Sequence, residues 1–285
     1  MNARLAALAY RAAWRGLRAV PEPLALAVAT RFADRTTSRN LRANLSRVVA
    51  PAALDAVARE GLRSYARYWV ETFRLRPSDA PRLVAGSVVT NPGPFDAALA
   101  DGRGTIIALP HSGNWDAAGV WLVETLRRRG MEPAFTTVVQ RLAAGAVYRR
   151  FVTHRERLGF EIVAADDPGA HRALLRRLRA GGVVCVLADR DVLGTGIEVE
   201  FFGEAARLPA GPARLAALTG AALVPTHLGF RPGGWTIAFG DTIPVPGPRD
   251  VAKATQALAD ALATLIAAMP ADWHVLQPIW PAGPR

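Results

Sequence analysis

The chain predicts an α/β fold, a mostly parallel or mixed central sheet flanked by helices behind an N-terminal helical region. Three observations predict it. From about residue 84 onward, short β-rich apolar runs alternate with stretches of helical periodicity. Before about residue 80 the strand-like runs are missing and helical patterning continues through Leu62 to Phe73. A length of 285 residues suits one large domain. Residues 1–285 are therefore read as a single domain, 1–80 a helical region and 81–285 an α/β core.

In chain order, residues 2–20 read as an amphipathic helix. At about 100° per residue Arg4, Arg11, Arg15 and Arg18 fall within an arc of about 60°, with Leu5, Ala9, Ala13 and Leu17 opposite. Such a helix either lies on an anionic membrane with its apolar side inserted or packs on the protein's own core. Tyr65, Tyr68 and Trp69 follow among arginines, an aromatic set suited to core or membrane-edge packing. The strands are expected at Val84–Thr90, Thr105–Leu109, Pro133–Val139, Glu161–Val163, Val183–Ala188, Ala222–His227 and Trp235–Phe239. Helices fit Trp115–Arg129, Arg141–Leu158, Pro168–Ala180, Pro212–Leu218 and Asp250–Met269. In sheets of this kind ligands collect beyond the carboxyl ends of the strands.

The formal charge of +11 is carried almost wholly by arginine, Lys253 being the one lysine. Its sign predicts attraction to anionic partners, whether lipid head groups, coenzyme phosphates or nucleic acid. The only cysteine, Cys185, sits inside the apolar run VVCVLA, which leaves no disulfide framework and no metal-ligand spacing and suggests a reducing, cytoplasmic setting. Arginines at 11, 15 and 18 break up any secretory leader, and no uncharged stretch of about 20 residues reads as a spanning helix.

The segment TIIALPHSGNWD, 105–116, carries the chemistry. An apolar strand stops before His111, a loop through Ser112, Gly113 and Asn114 follows, and a helix begins near Trp115. That turn allows Asp116 to accept the proton of one ring nitrogen of His111 and leave the other as a base toward an alcohol. With 5 histidines and 24 acidic residues in 285 positions, chance supplies roughly 0.4 such spacings, so the signal lies in the context. The same pattern suits a histidine satisfied at a helix N-terminus, with Asp116 favoured by the helix dipole. Asp189, Arg190 and Asp191 again follow an apolar strand directly. Arg149, Arg150, Arg155 and Arg157 form a cluster able to hold phosphates through forked hydrogen bonds, or a solvated charged face. Phe201 and Phe202 are candidates for the wall of a substrate groove or for ordinary core packing.

Taken together, HSGNWD at 111–116, FTTVVQRL at 135–142, HRERLGFEIV at 154–163, LADRD at 187–191, VEFFGEAARLPAGPARLA at 199–216 and WHVLQPIWP at 273–281 resemble the bacterial lysophospholipid acyltransferase superfamily. Within its lipid A acyltransferase branch, the likeness is to the phosphatidylinositol mannoside acyltransferases of actinobacteria. The resemblance implies a glycerolipid-acyltransferase-like fold and a monotopic or peripheral enzyme on the cytoplasmic face of the cell membrane, its N-terminal region against the anionic surface. It implies transfer of a fatty acyl chain from acyl-CoA, a donor substrate and not a cofactor, to the mannose 6-hydroxyl of a phosphatidylinositol mannoside. His111 and Asp116 are then the catalytic pair, and Arg155, Asp189, Asp191, Gln140 and Arg149 the substrate-side residues. In the mannoside enzymes a glutamate stands where this chain has Gln140. An acid of 189–191, with Arg155, is expected to bind sugar hydroxyls or steady the histidine, and amides around Gly113 and Asn114 are one source of an oxyanion donor. Cys185, mid-strand among apolar residues, is an unsuitable nucleophile. The alternatives are another glycolipid acceptor, such as a lipid A precursor, and a basic lipid- or nucleic-acid-binding protein without chemistry.

Overall fold

Five residues, Thr105–Leu109, buried along their whole length and apolar after Thr105, form the middle of a seven-stranded sheet. The computed structural model describes residues 12, 14, 16–141, 145–192 and 194–280. Helices α1 (Glu22–Ala33), α2 (Arg39–Leu45), α3 (Leu54–Arg74) and α4 (Ala80–Gly86) precede β1 (Ser87–Thr90), α5 (Gly93–Asp101) and β2 (Thr105–Leu109). Then come α6 (Trp115–Arg128), β3 (Phe135–Val139), α7 (Gly145–Arg157), β4 (Phe160–Ala164), α8 (Ala170–Arg179) and β5 (Val183–Leu187). A hairpin of β6 (Ile197–Phe201) and β7 (Glu204–Leu208) leads to α9 (Gly211–Thr219), β8 (Ala222–Arg231), β9 (Gly234–Phe239) and α10 (Val251–Ala268).

The sheet order is β1-β9-β8-β2-β5-β3-β4. Strands β8, β2, β5, β3 and β4 run parallel, and the β8–β9 pair is antiparallel, with β1 parallel to β9. A parallel sheet must be covered on both faces. One face carries α10, whose Leu258, Leu262 and Ile266 pack with Trp273; the other carries α6, whose Val120, Leu122 and Leu126 pack with Phe95 and Phe239.

Most expected elements are present, with shifted ends. The strand expected from Val84 begins only at Ser87, because Pro81 opens a short helix that buries Leu83 before the chain extends. Helix α5 and the β6–β7 hairpin were not among the expected elements. Strand β8 runs past His227 to Arg231, since it continues as a hairpin with β9 through a turn at Gly233, whose φ is +73°. The stretch Pro248–Ala268 is long and apolar enough to cross a membrane by length and composition, though not uncharged, since it carries Arg249, Asp250, Lys253 and Asp260, and α10 within it fills the core with its apolar side.

Of the helix expected over 2–20, residues 2–11 lie outside the described residues, with Arg4, Leu5, Ala9 and Arg11 among them, as do Ala13 and Arg15. The described part packs on the domain. Trp14 is buried against Phe73, Phe151 and His154, with ring centroids 5.0, 5.3 and 4.9 Å away. Arg18 Nε donates to the Phe73 carbonyl at 2.8 Å, at the carboxyl end of α3 where the helix dipole favours a cation. Helix α1, by contrast, leaves Leu24, Val28 and Phe32 exposed, and their spacing of four puts them on one face.

Candidate active site

The register of β2 on β5 builds the site. Leu109 pairs with Leu187, and each strand runs two residues further to a polar side chain, His111 on one and Asp189 on the other. Parallel neighbours lie about 4.8 Å apart, so equal offsets from a paired position bring the two side chains together. His111 Nδ1 meets Asp189 Oδ1 at 2.7 Å, and the His111 main-chain N–H donates to Asp189 Oδ2 at 2.9 Å. The Trp273 indole N–H donates to the same Oδ2 at 2.9 Å. Burial opposes ionisation of Asp189, but His111 and the Trp273 indole outweigh it and hold the carboxyl below the usual carboxylate range. A carboxylate at Nδ1 assigns the proton to that nitrogen and leaves Nε2 as the basic one.

The tail of the chain fixes the loop that bears His111. His274 N–H donates to the His111 carbonyl at 3.1 Å and Gly113 N–H to the Asp272 carbonyl at 2.9 Å, while Ser112 and Trp273 bridge as an antiparallel pair. Ser112 Oγ accepts from Leu228 N–H at 3.1 Å, which ties the loop to β8. Gly113 has φ +51°, and a Cβ there would come within 2.7 Å of the Leu228 carbonyl carbon, so only glycine fits. With its hydrogen committed to Asp272, the Gly113 amide is not the oxyanion donor suggested by its place in the sequence. His274 Nε2 faces the Gly113 carbonyl at 3.2 Å, and burial lowers its pKa to about 4.

The carboxylate that holds His111 is thus Asp189 and not Asp116. Asp116 lies in the first turn of α6, opened by the Asn114 side chain accepting from Ala117 N–H at 3.0 Å. From there its fully buried carboxylate is turned to Arg155, which donates from Nε at 2.7 Å and Nη2 at 3.2 Å, with Thr72 and Tyr68 hydroxyls at 3.3 and 3.4 Å. Burial works against the Arg155 charge, yet Asp116 and Tyr68 outweigh it and raise its pKa. Arg155 also lies over the Trp115 ring at 4.0 Å.

A groove of about 390 Å³ opens beside His111. It is lined by β2, β3, β5, α6 and α7, through residues such as Leu109, Thr137, Cys185, Trp115, Ala118 and Phe151, and on the core side by Trp121, Phe135 and Phe239. Gln140, Arg155, Arg190 and Gln277 are among its polar lining residues, with His111, Thr226 and His274, and Arg190 donates to the Gln277 side chain at 2.8 Å. The lining is mostly apolar, as for a long hydrocarbon chain. Cys185 faces the groove, but burial pushes its thiol pKa up, away from thiolate chemistry.

Other sequence candidates fall elsewhere. Asp191 accepts from Thr195 and Gly196 N–H at 3.2 and 2.8 Å and closes its own loop, so it is not turned to the groove. Arg149 stands on the opposite face of α7, against a separate cavity. Phe201 and Phe202 pack on Trp273 and Trp280 and neither lines the groove. Sequence reasoning missed Trp273 as a partner of Asp189 and Ser112 as a clamp. It also missed Glu71, a buried carboxylate that accepts from Asn114, Trp235 and Arg67 at 2.8, 2.9 and 2.7 Å and braces the start of α6. Among the described residues no three His, Cys, Asp or Glu side chains are grouped to hold a metal.

An apolar groove that opens where parallel strands end, next to a histidine held by a buried acid, is the arrangement of an α/β enzyme with its site at the carboxyl ends of the strands. The chain belongs to the bacterial lipid A biosynthesis acyltransferase family, whose sequence profile matches residues 2–281. It is similar to the phosphatidylinositol mannoside acyltransferase of Mycolicibacterium smegmatis, 46% identical over 282 residues that cover 96% of this chain and 90% of the relative. It is equally similar to that of Mycobacterium tuberculosis, 46% identical over 286 residues covering 95% of this chain and 87% of the relative. The protein is an acyltransferase.

Proposed function

We propose that the enzyme moves a fatty acyl group from acyl-CoA to the 6-hydroxyl of the mannose on the inositol 2-position of a phosphatidylinositol mannoside. The acceptor is inferred from the names of the mycobacterial relatives; the thioester donor and the hydroxyl follow the sequence resemblance. The observation that carries the chemistry is the His111 Nδ1–Asp189 contact of 2.7 Å, which leaves Nε2 for the groove side. Nε2 takes the proton of the sugar hydroxyl as that oxygen attacks the thioester carbonyl. The tetrahedral adduct collapses, the C–S bond breaks, and the imidazolium returns the proton to the departing thiolate. Base catalysis of this type is worth about 10² to 10⁴ in rate, or roughly 3 to 5 kcal/mol.

We infer from the sequence resemblance that the reaction takes place at the cytoplasmic face of the membrane. Leu24, Val28 and Phe32, 55, 62 and 73% exposed on one face of α1, suit insertion at the lipid boundary, and the charge of +11 suits anionic head groups. The test is transfer from radiolabelled palmitoyl-CoA to phosphatidylinositol mannosides and to a lipid A precursor, with native protein and a folded His111→Ala variant. Loss of transfer in the variant supports the histidine base. Equal transfer by both proteins overturns it, and transfer only to the lipid A precursor overturns the acceptor.

A further inference from the structure

Helix α7 has two working faces. Tyr148, Phe151, Val152 and Arg155 line the groove, whereas Ala146, Arg149, Arg150, Thr153 and Arg157, at helical spacing on the other side, line a second cavity of about 940 Å³. The two cavities share no lining residue. Arg18 and Arg76 complete the second wall, so five guanidinium groups face one space. Among the described residues none of the five is ion-paired with a carboxylate, although arginines nearby on the surface, such as Arg141 with Asp166, are.

Two of the cations are held in place by neutral partners. Arg18 is anchored on the Phe73 and Leu75 carbonyls, and Arg150 lies over the Trp14 ring at 5.0 Å. Burial, then Arg76, Arg150 and Arg157, lower the pKa of Arg18 against a smaller opposing effect of Asp79, so the like charges sense one another. Among the described residues no carboxylate lines this wall. Forked guanidinium donors match the oxygens of a phosphate, and Thr153 and Ser78 add hydroxyl donors at the rim.

We propose that this arginine-walled cavity on the outer face of α7 is a phosphate-binding site, separate from the acyl groove, that takes the phosphate of a phospholipid head group or of a soluble phosphate ester. The proposal does not rest on the acyl-transfer reading, because its readout is binding alone.

The full chain is titrated calorimetrically with phosphatidylcholine vesicles containing phosphatidylinositol, with phosphatidylcholine vesicles alone, and with inorganic phosphate and myo-inositol 1-phosphate. Three variants accompany the native protein: Arg150→Gln/Arg157→Gln, the charge-conserving Arg150→Lys/Arg157→Lys, and Arg172→Gln/Arg179→Gln on α8 as a control of equal charge loss. The glutamine pair in the cavity is expected to weaken binding at least about tenfold, the lysine pair less, and the α8 control under about twofold. A loss confined to phosphatidylinositol vesicles identifies the head group as the source; a loss that extends to the soluble esters identifies the phosphate itself. Equal losses in the cavity and α8 variants mean diffuse surface charge and overturn the site, as does an unaffected cavity variant or a native protein that binds none of the probes. Should the glutamine pair not fold, the lysine pair against the control decides the question.

Discussion

Asp189 accepts from both polar hydrogens that His111 turns toward the protein, Nδ1–H at 2.7 Å and the main-chain N–H at 2.9 Å. One carboxylate therefore fixes the ring and the backbone that carries it. Asp189→Asn keeps the shape but replaces the anion with an amide, which is free to present N–H toward Nδ1 and reverse the tautomer. Steady-state kinetics should show kcat lower by roughly 10² or more with little change in KM. An unchanged kcat would remove Asp189 from the mechanism.

Asp116 and Arg155 make a buried ion pair next to this site. Deleting one partner leaves the other charged and desolvated, a loss of about 3–5 kcal/mol. Asp116→Ala should lower the urea midpoint by that equivalent. The double change Asp116→Leu/Arg155→Met, apolar on both sides, should regain much of it. A single variant as stable as the native protein would show the pair to be energetically idle.

Buried histidines set the acid limit: burial lowers the pKa of His154, His227 and His274, and the last two are the most strongly shifted. Burial lowers the pKa of His227 to about 3 and of His274 to about 4, and among the described residues neither His227 ring nitrogen has a hydrogen-bond partner. Both stay neutral when folded and protonate near 6.5 when unfolded, so between those values the unfolded chain binds more protons and stability rises with pH. It should be full above about pH 6.5 and fall as pH drops toward 4, by up to about 1.4 kcal/mol per unit for each histidine. The depressed carboxyl of Asp189 adds a further loss only below the ordinary carboxylate range. Urea unfolding across this window measures the slope, and His227→Phe should flatten it. A native profile already flat from pH 6.5 to 4 would contradict the assignment.

The groove should act as a gauge of chain length. Cys185 lies among its lining residues on β5. Cys185→Phe puts a ring into the space and should shift the preferred donor toward shorter acyl chains, read by competing acyl-CoAs of different length. An unaltered profile would mean that the hydrocarbon does not occupy this groove.

Phe32 and Val28 are large, apolar and exposed on α1. Replacing both with Asp should cut sedimentation with anionic vesicles by about tenfold or more while thermal stability stays within about 0.5 kcal/mol, as for surface sites. Undiminished sedimentation would shift membrane contact to another face.

The sheet was legible because its strands are short, apolar and bounded by polar turns, so that Thr105–Leu109 matched to the residue. His111 was legible for the same reason, standing just past such a strand. Its partner was misplaced because five residues of sequence proximity suggested Asp116, whereas the neighbour in space comes from β5, 78 positions away. The clue was present in the second apolar strand that ends in an acid, but only the parallel pairing of β2 with β5 turns it into a contact. Trp273, Ser112 and Glu71 left no signal, since each acts through a tertiary hydrogen bond and has no periodic pattern. The arginines of α7 were visible as a cluster, yet a helix divides them. Arg155 points one way and Arg149, Arg150 and Arg157 the other.

The clasp between residues 272–274 and the His111 loop has a consequence for the timing of synthesis. His111 leaves the ribosome early, but the hydrogen bonds that hold its loop and its Asp189 partner from outside are not complete until Trp273 arrives 162 residues later. At about 5–20 residues per second that interval is on the order of 10 to 30 s. Through it the nascent chain carries its base on Asp189 without the clasp, and a fragment cut short of residue 272 would do the same however well its sheet had formed. The complete hydrogen-bonded setting of the His111 loop is thus among the last properties the chain acquires.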